Sequence, residues 1–376
     1  MSRRLDGGDR GAEVPALPAL ERRSARVGIV GCGVISRIYA RGADAFDSYE
    51  IVACADVDPA CATRLADEFA LEVATVDELL ASDVDVVLNL TPPFAHAEVI
   101  LRALEAGKHV YTEKTLTTTL AEARQVVEEA ERRGLRLGSA PDTFLSGAFA
   151  TARRLVDEGA IGEPRLATAT FLSSGPDGWH PNADIFYRAG AGPLLDMGPY
   201  YLTAIAALCG PYARVAGHAS VLRPDREIAT GPRAGERFGA DVPTHVGATI
   251  ELAGGALAQL TASFELTSGW VAELALHGSE GSLRLPDPNT FDGPLAIRTG
   301  RGEWEEVAVS GRGDRDTRGI GLDDMLRSLA QGVPHRASGR LALHVLETAC
   351  AIVRSADEGR TIELDTTIDA VEPLAA

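Results

Sequence analysis

The segment Arg26-Val-Gly-Ile-Val-Gly-Cys-Gly-Val-Ile-Ser36 constrains this chain more than any other. Val27 to Val30 carries β-branched residues at three of four positions, which predicts a short buried strand. Gly31 and Gly33 predict a tight turn, and Val34 to Ala45 has helical spacing. A strand that runs through a glycine turn into a helix aims backbone N–H groups and the helix N-terminus at one point. Such a point suits a pyrophosphate, held near Gly31, Gly33, Val34 and Ile35. Ser36 stands where the G-x-G-x-x-G pattern has its third glycine, and serine is small enough for close helix–strand packing. Taken alone, an ordinary glycine turn fits these residues equally well.

The downstream pattern decides between the two. Glu50 to Asp56 predicts a second buried strand ending in a carboxylate, twenty-five positions after Gly31. A carboxylate there accepts from the ribose hydroxyls of a dinucleotide and repels a 2′-phosphate. Asp58 follows and no arginine lies nearby, so the reading favours NAD over NADP. The alternative role for Asp56 is to cap the helix that starts at Pro59. Further strands are predicted at Asp85–Leu90, Lys108–Thr112 and Leu135–Ser139. Helices are predicted at Pro59–Phe69, Val76–Ala81, Phe94–Ala106 and Leu120–Arg133. This alternation predicts a parallel, doubly wound α/β sheet, whose ligands bind outside the carboxyl ends of its strands. Gly31–Gly33, Asp56, Thr91–Pro92–Pro93 and Glu113–Lys114 all fall at such ends.

After a helix at Gly147–Glu158 the pattern changes. Seven strand-like runs between Arg165 and Arg298 follow with few helices, predicting an open, largely antiparallel sheet in an α+β domain. Gly190–Leu208 is expected as a helix inserted after the first of these strands, and two helices, Leu322–Ala330 and Leu341–Asp357, close the chain. With 376 residues, two domains are expected: a dinucleotide-binding domain over 25–145 and a second domain over 146–376, preceded by a disordered tail over 1–24.

The formal net charge of −18, without a basic block, argues against nucleic acid or an anionic membrane as partner. No apolar run is long enough to span a bilayer. The five cysteines, Cys32, Cys54, Cys61, Cys209 and Cys350, are scattered and form no C-x-x-C pair. They read as small apolar residues in a reducing compartment, and no metal site is expected. Arg3-Arg4 precedes a glycine-rich, charged stretch without an apolar core, which does not fit an export signal. The cytoplasm is the expected location.

Six segments together carry a family pattern: Gly31–Ser36, Thr91-Pro-Pro-Phe-Ala-His96, Ala106–Lys114, Asp157–Gly162, Gly190-Ala-Gly-Pro-Leu-Leu-Asp-Met-Gly198 and Gly278–Gly281. The chain resembles the Gfo/Idh/MocA family of pyridine-nucleotide oxidoreductases over roughly residues 26 to 360. The resemblance implies an N-terminal Rossmann domain and a C-terminal domain with an open sheet that often oligomerises, here as a homodimer or homotetramer. It implies an NAD-dependent enzyme that transfers a hydride at a hydroxyl-bearing carbon of a sugar, polyol or glycoside. A glycosidase that uses transient oxidation and elimination, and a non-catalytic regulatory protein, are the alternatives within the family.

Glu113-Lys114-Thr115 matches the family's Glu-Lys-Pro motif, with threonine for proline, and implies that Lys114 is the central active-site residue. Partial burial and the positive nicotinamide are expected to lower its pKa. Glu113 is expected to hold backbone or ribose. Asp196-Met-Gly-Pro-Tyr200 matches the family's Asp-x-x-x-His, with Tyr200 at the histidine position, as in some relatives. Residues four apart on a helix share a face, and a lysine ammonium stabilises a phenolate, so Tyr200 is expected to take the hydroxyl proton while Asp196 orients substrate or tyrosine. Tyr201 competes for this role with poorer spacing. The loop Gly175–Arg188 is rich in aromatic and polar residues. Trp179, His180 and Tyr187 are its candidate substrate contacts, against the alternative of a packed surface loop. His96 is assigned to the cofactor-side loop, with a cap or core histidine as the alternative, and His245 reads as structural.

Overall fold

A computed structural model describes residues 24–311 and 317–372. The tail expected over 1–24, Ser24 apart, lies outside the described residues. Six strands build the first sheet: β1 (Ala25–Val30), β2 (Tyr49–Ala55), β3 (Glu72–Val73), β4 (Val86–Asn89), β5 (His109–Thr112) and β6 (Leu137–Ser139). All are parallel, in the order β3-β2-β1-β4-β5-β6. The order reverses beside β1, so the crevice for a ligand opens between the carboxyl ends of β1 and β4. Strands β4 and β5 are buried along their whole length, as expected for a parallel sheet covered on both faces.

The helices α1 (Val34–Gly42), α2 (Pro59–Phe69), α3 (Val76–Ala81), α4 (His96–Glu105) and α5 (Leu120–Arg133) join these strands. Their boundaries follow local chemistry. Asp58 caps α2 ahead of Pro59, Thr75 and Thr119 form capping boxes with Glu78 and Glu122, and Gly134 ends α5 in the left-handed region. α6 (Gly147–Asp157) then leads away from the first sheet.

The second sheet uses β7 (Pro164–Ser173), β8 (Tyr212–Ser220), β11 (His245–Leu252), β12 (Leu257–Ser263), β13 (Trp270–Gly278), β14 (Gly281–Leu285), β15 (Ala296–Thr299), β16 (Glu305–Glu306) and β17 (Ile362–Glu363). Its order is β16-β15-β14-β13-β7-β12-β11-β8-β17, antiparallel except for the β7–β12 pair. A separate hairpin pairs β9 (Asp225–Glu227) with β10 (Arg237–Gly239). On β7 the burial alternates: Ala167, Ala169, Phe171 and Ser173 are buried, and the residues between them are partly exposed. The buried face packs on the inserted helical segment, with Phe171 against Tyr201.

That inserted segment is not the single helix expected from Gly190 to Leu208. It forms α7 (Gly192–Asp196) and α8 (Gly198–Cys209), broken at Met197. Pro199 sits in the first turn of α8, where its missing N–H leaves no bond unmade; inside a continuous helix it would remove one. The closing helices are α9 (Ile320–Gln331) and α10 (Gly339–Glu358). Among the described residues no helix is long and apolar enough to cross a membrane.

Candidate active site

The turn after β1 is built for close approach of backbone. Gly31 has φ +99°, and a Cβ there would lie 2.6–2.7 Å from the backbone of Leu90 and Thr91. At Gly33 a Cβ would meet nothing within 4 Å. No side chain caps α1, because its N-cap residue is Gly33; the Ser36 hydroxyl donates back to the Gly33 carbonyl (2.6 Å). The first N–H groups of α1 therefore suit an external anion, and an open cradle at Gly33 leads to them. Val34 lies exposed on this turn, while Ile35 is partly buried.

Asp56 does not cap α2; Asp58 does, accepting from the Ala60 N–H. The Asp56 carboxylate accepts instead from the Cys32 N–H (2.7 Å) and the Asp58 N–H (2.8 Å). It thus ties the glycine turn to the end of β2, and each oxygen retains a lone pair for a ribose hydroxyl. Exposed Val57 follows it. These features fit a dinucleotide lying from Asp56 across the turn to the end of β4.

His96 requires a correction. It is fully buried, with Nδ1 2.7 Å from the Thr115 carbonyl and Nε2 2.8 Å from the Thr91 carbonyl. Burial lowers its pKa and favours the neutral ring, which then donates to one of the two carbonyls. A fully covered ring offers no surface to a cofactor, so His96 ties the Thr91–Pro92 loop to the Lys114–Thr115 loop. Thr115 is itself buried, and the Lys114–Thr115 peptide is cis.

Lys114 and Asp196 meet at the bottom of a cleft of about 450 Å³. Lys114 Nζ donates to Asp196 Oδ1 (2.7 Å) and to the Asp196 carbonyl (2.6 Å). Both side chains keep some exposure, 17% and 23%. An ammonium has three N–H donors, so one is left for a substrate oxygen. The expected lowering of the Lys114 pKa is reversed. Burial by itself favours the neutral amine, but the Asp196 charge, with Tyr200 and Glu113 acting in the same sense, outweighs it and raises the pKa.

Tyr200 lies in the first turn of α8 with its ring centroid 5.3 Å from Lys114 Nζ. The expectation of a stabilised phenolate is also corrected. Burial raises the phenol pKa, and the nearby Lys114 and Arg318 charges reduce that shift without cancelling it. Tyr201 is buried against Phe171, on the side of the second sheet. Glu113 is buried and accepts from the Tyr39 hydroxyl (3.0 Å) and the Lys114 N–H (3.0 Å).

Of the three candidate substrate contacts, Tyr187 is overturned. It is fully buried, and its hydroxyl bonds Asp177 and the Arg226 guanidinium. Trp179 and His180 do not line the cleft. Their rings pack on Phe186, at 6.3 and 5.0 Å between centroids, and Phe186 forms the wall together with Ile185 and Arg188. Pro92, Pro93 and Phe94 line the same cleft.

Sequence reasoning missed Arg318. Burial disfavours its charge, but Tyr200, Glu113, Tyr39 and Asp142 together keep it a cation. Asp142 anchors this segment from below, accepting from the N–H groups of Gly319 (3.0 Å) and Gly321 (3.1 Å). No motif or periodicity marks Arg318; the fold alone brings its charge near Tyr200 and Glu113.

Two family models match this chain. An oxidoreductase family with an NAD-binding Rossmann fold matches residues 25–140, and the GFO/IDH/MocA C-terminal domain matches residues 149–284. The chain belongs to the GFO/IDH/MocA oxidoreductase family. It is an NAD-dependent oxidoreductase. Its relatives within the family include a dTDP-3,4-didehydro-2,6-dideoxy-alpha-D-glucose 3-reductase of Saccharopolyspora spinosa, 32% identical over 81% of this chain and 85% of that protein. The inositol 2-dehydrogenase of Rhizobium meliloti (strain 1021) is 27% identical over 90% of this chain and 99% of its own length. A solved levoglucosan dehydrogenase in complex with NADH and L-sorbose shares the fold, with a TM-score of 0.81 at 24% identity, covering 91% of this chain and 99% of that one.

Proposed function

We propose that this family member transfers a hydride between NAD and a hydroxyl-bearing ring carbon of a sugar-like substrate, with Lys114, Asp196 and Tyr200 as the group that handles the proton. The observation that carries this reading is the Lys114–Asp196 pair in a cleft beside Pro92 and Pro93, at the carboxyl ends of β4 and β5. When bound, NAD supplies the hydride acceptor or donor. The uncapped start of α1, the Gly33 cradle and the Asp56 carboxylate would hold it, and the carboxylate would favour NAD over NADP.

The chain's own residues set the proton chemistry. Asp196 fixes Lys114 by two hydrogen bonds and keeps it an ammonium. Its third N–H donates to the substrate oxygen, polarising a carbonyl during reduction or steadying the hydroxyl during oxidation. Tyr200 retains its phenolic proton and stands beside the ammonium. Both groups hold protons at neutral pH, an arrangement ready to donate to the alkoxide that forms as a carbonyl is reduced. By the same path in reverse, oxidation gains from rising pH.

Absorbance of NADH across a panel of sugars, inositols and glycosides tests the reading, with Lys114→Ala as control. Turnover in neither direction, together with melting indifferent to millimolar-range NAD, would refute it. Aglycone release without net NADH formation would point to the eliminating glycosidase reading instead.

The same reading extends to assembly and location. The outer face of the second sheet carries Thr168, Thr170, Thr249, Gln259 and Thr261, small or polar side chains with partial to full exposure. A homodimer or homotetramer through this face is the expected state, checked by light scattering on the eluted protein. The five free thiols support a reducing, cytoplasmic location.

A further inference from the structure

The walls of the cleft carry apolar side chains that the chain itself leaves uncovered. Phe94, just before α4, is 77% exposed, and Ile185, which lines the same cleft, is 53% exposed. Phe186 beside Ile185 is braced from behind by Trp179 and His180, so this wall is preset. Charge is scarce and already engaged. Arg188 donates to Asp241 (2.9 Å), and Lys114 is held by Asp196. A phosphate would have to compete with Asp241 and Asp196 for these cations, whereas large apolar surface stands uncovered beside the reacting groups. Resting on the reading of a ring-hydroxyl oxidoreductase, we propose that the substrate is a glycoside with an apolar aglycone. Its sugar ring would reach Lys114, and its aryl or alkyl group would be clamped between Phe94 and Ile185–Phe186.

Burying an apolar group in a fitted pocket discriminates by about 10–200-fold. The test uses matched triplets of free sugar, methyl glycoside and phenyl glycoside of several ring configurations, with dTDP-glucose as the charged arm. NADH formation and phenol release are both followed with the full chain and NAD. Within the reactive triplet, kcat/KM for the phenyl glycoside should exceed that for the free sugar by about tenfold or more. In Phe94→Ser and Ile185→Ser that ratio should fall to about twofold; both sites are exposed enough to accept serine without loss of fold. Phenol release without net NADH also supports the proposal, because the aglycone-bearing compound is then the substrate.

Three results overturn it while leaving the oxidoreductase reading intact. One is a free sugar or dTDP-glucose turned over as well as the phenyl glycoside. The second is a ratio unchanged in both variants. The third is a Phe94→Ser variant that loses NAD affinity by protein fluorescence, which would assign Phe94 to the cofactor. A wild-type chain that reacts with no member of the panel refutes the functional reading and this inference together.

Discussion

The glycine turn after β1 and the loop from Ser174 to Ala191 are both irregular segments beside the active site, yet they are held differently. The turn is fixed through its own backbone N–H groups: Gly31 N–H donates to the Ala55 carbonyl, and Cys32 N–H to the Asp56 carboxylate. The loop has backbone bonds too, its Asp177 and Tyr187 carbonyls accepting from the N–H groups of Ala229 and Asp241, but it adds a buried side-chain network. Arg226, from the β9–β10 hairpin, has no exposed side-chain surface and bonds Asp177, Tyr187, the Phe264 carbonyl and Glu265. The difference teaches where each segment tolerates change. A backbone-held turn accepts new side chains wherever space is open and fails where a Cβ collides. A loop held by a buried ion network fails when one partner of the network goes.

The largest effect is expected outside both regions, at the group they serve. Lys114→Ala removes the proton donor and should lower turnover on the order of 10²–10⁴-fold. NAD affinity, read by fluorescence, should stay within about twofold, because the residues that cradle the dinucleotide lie elsewhere. Near-normal turnover in this variant would detach Lys114 from the chemistry.

Arg226→Met tests the loop's side of the comparison. It leaves Asp177 and Glu265 with only the more exposed Arg223 guanidinium, at 3.4 and 4.0 Å, which should destabilise the protein by about 3 kcal/mol in urea unfolding. If Arg226→Met is as stable as the parent, the loop is not held by this network.

Two substitutions test the turn. Gly31→Ala combines a positive φ with a backbone collision at Leu90 and Thr91, and should cost about 1–3 kcal/mol along with NAD affinity. Gly33→Ala meets open space, so stability should change by less than about 0.5 kcal/mol while NAD affinity falls. Equal stability losses at the two glycines would erase the distinction between them.

The same comparison explains what could be read from the sequence. The first sheet was legible because strands buried on both faces appear as apolar runs, and because Gly134 and the capping boxes mark helix ends locally. The ends of β1, β2, β4 and β5 then located the site. Strands of two or three residues, such as β3, β9 and β16, are too short to show a period. The break at Met197 did have a local signal in Pro199, overridden by the apolar run around it. In the loop, Tyr187 read as a substrate contact because nothing near it in sequence indicates Arg226, 39 positions away. Arg318 was illegible for the same reason: Tyr39, Glu113, Asp142 and Tyr200 reach it from distant parts of the chain. The direction of the Lys114 pKa turned on Asp196, 82 positions away, which together with Tyr200 and Glu113 outweighs the burial that the sequence reading emphasised.

That last point has the smallest expected effect and the most specific readout. Asp196→Asn keeps an oxygen for the Lys114 hydrogen bond and leaves the backbone carbonyl bond intact, so the lysine stays in place while its neighbouring charge is lost. At neutral pH the rate should fall only on the order of tenfold. The sign of the pH effect follows from the balance at Lys114. Asp196 raises the pKa and burial lowers it, so removing the Asp196 charge leaves burial less opposed and the pKa falls. Carbonyl reduction needs the ammonium as proton donor, so it is present below the lysine pKa and lost as pH rises through it. The parent, with its Lys114 pKa raised above the ordinary lysine value, should hold its reduction rate to the top of a scan from about pH 7 to about pH 11, whereas Asp196→Asn should lose it at lower pH than the parent. An unmoved alkaline limb, with the rate lowered equally at every pH, would mean that Asp196 orients the substrate and does not set the charge of Lys114.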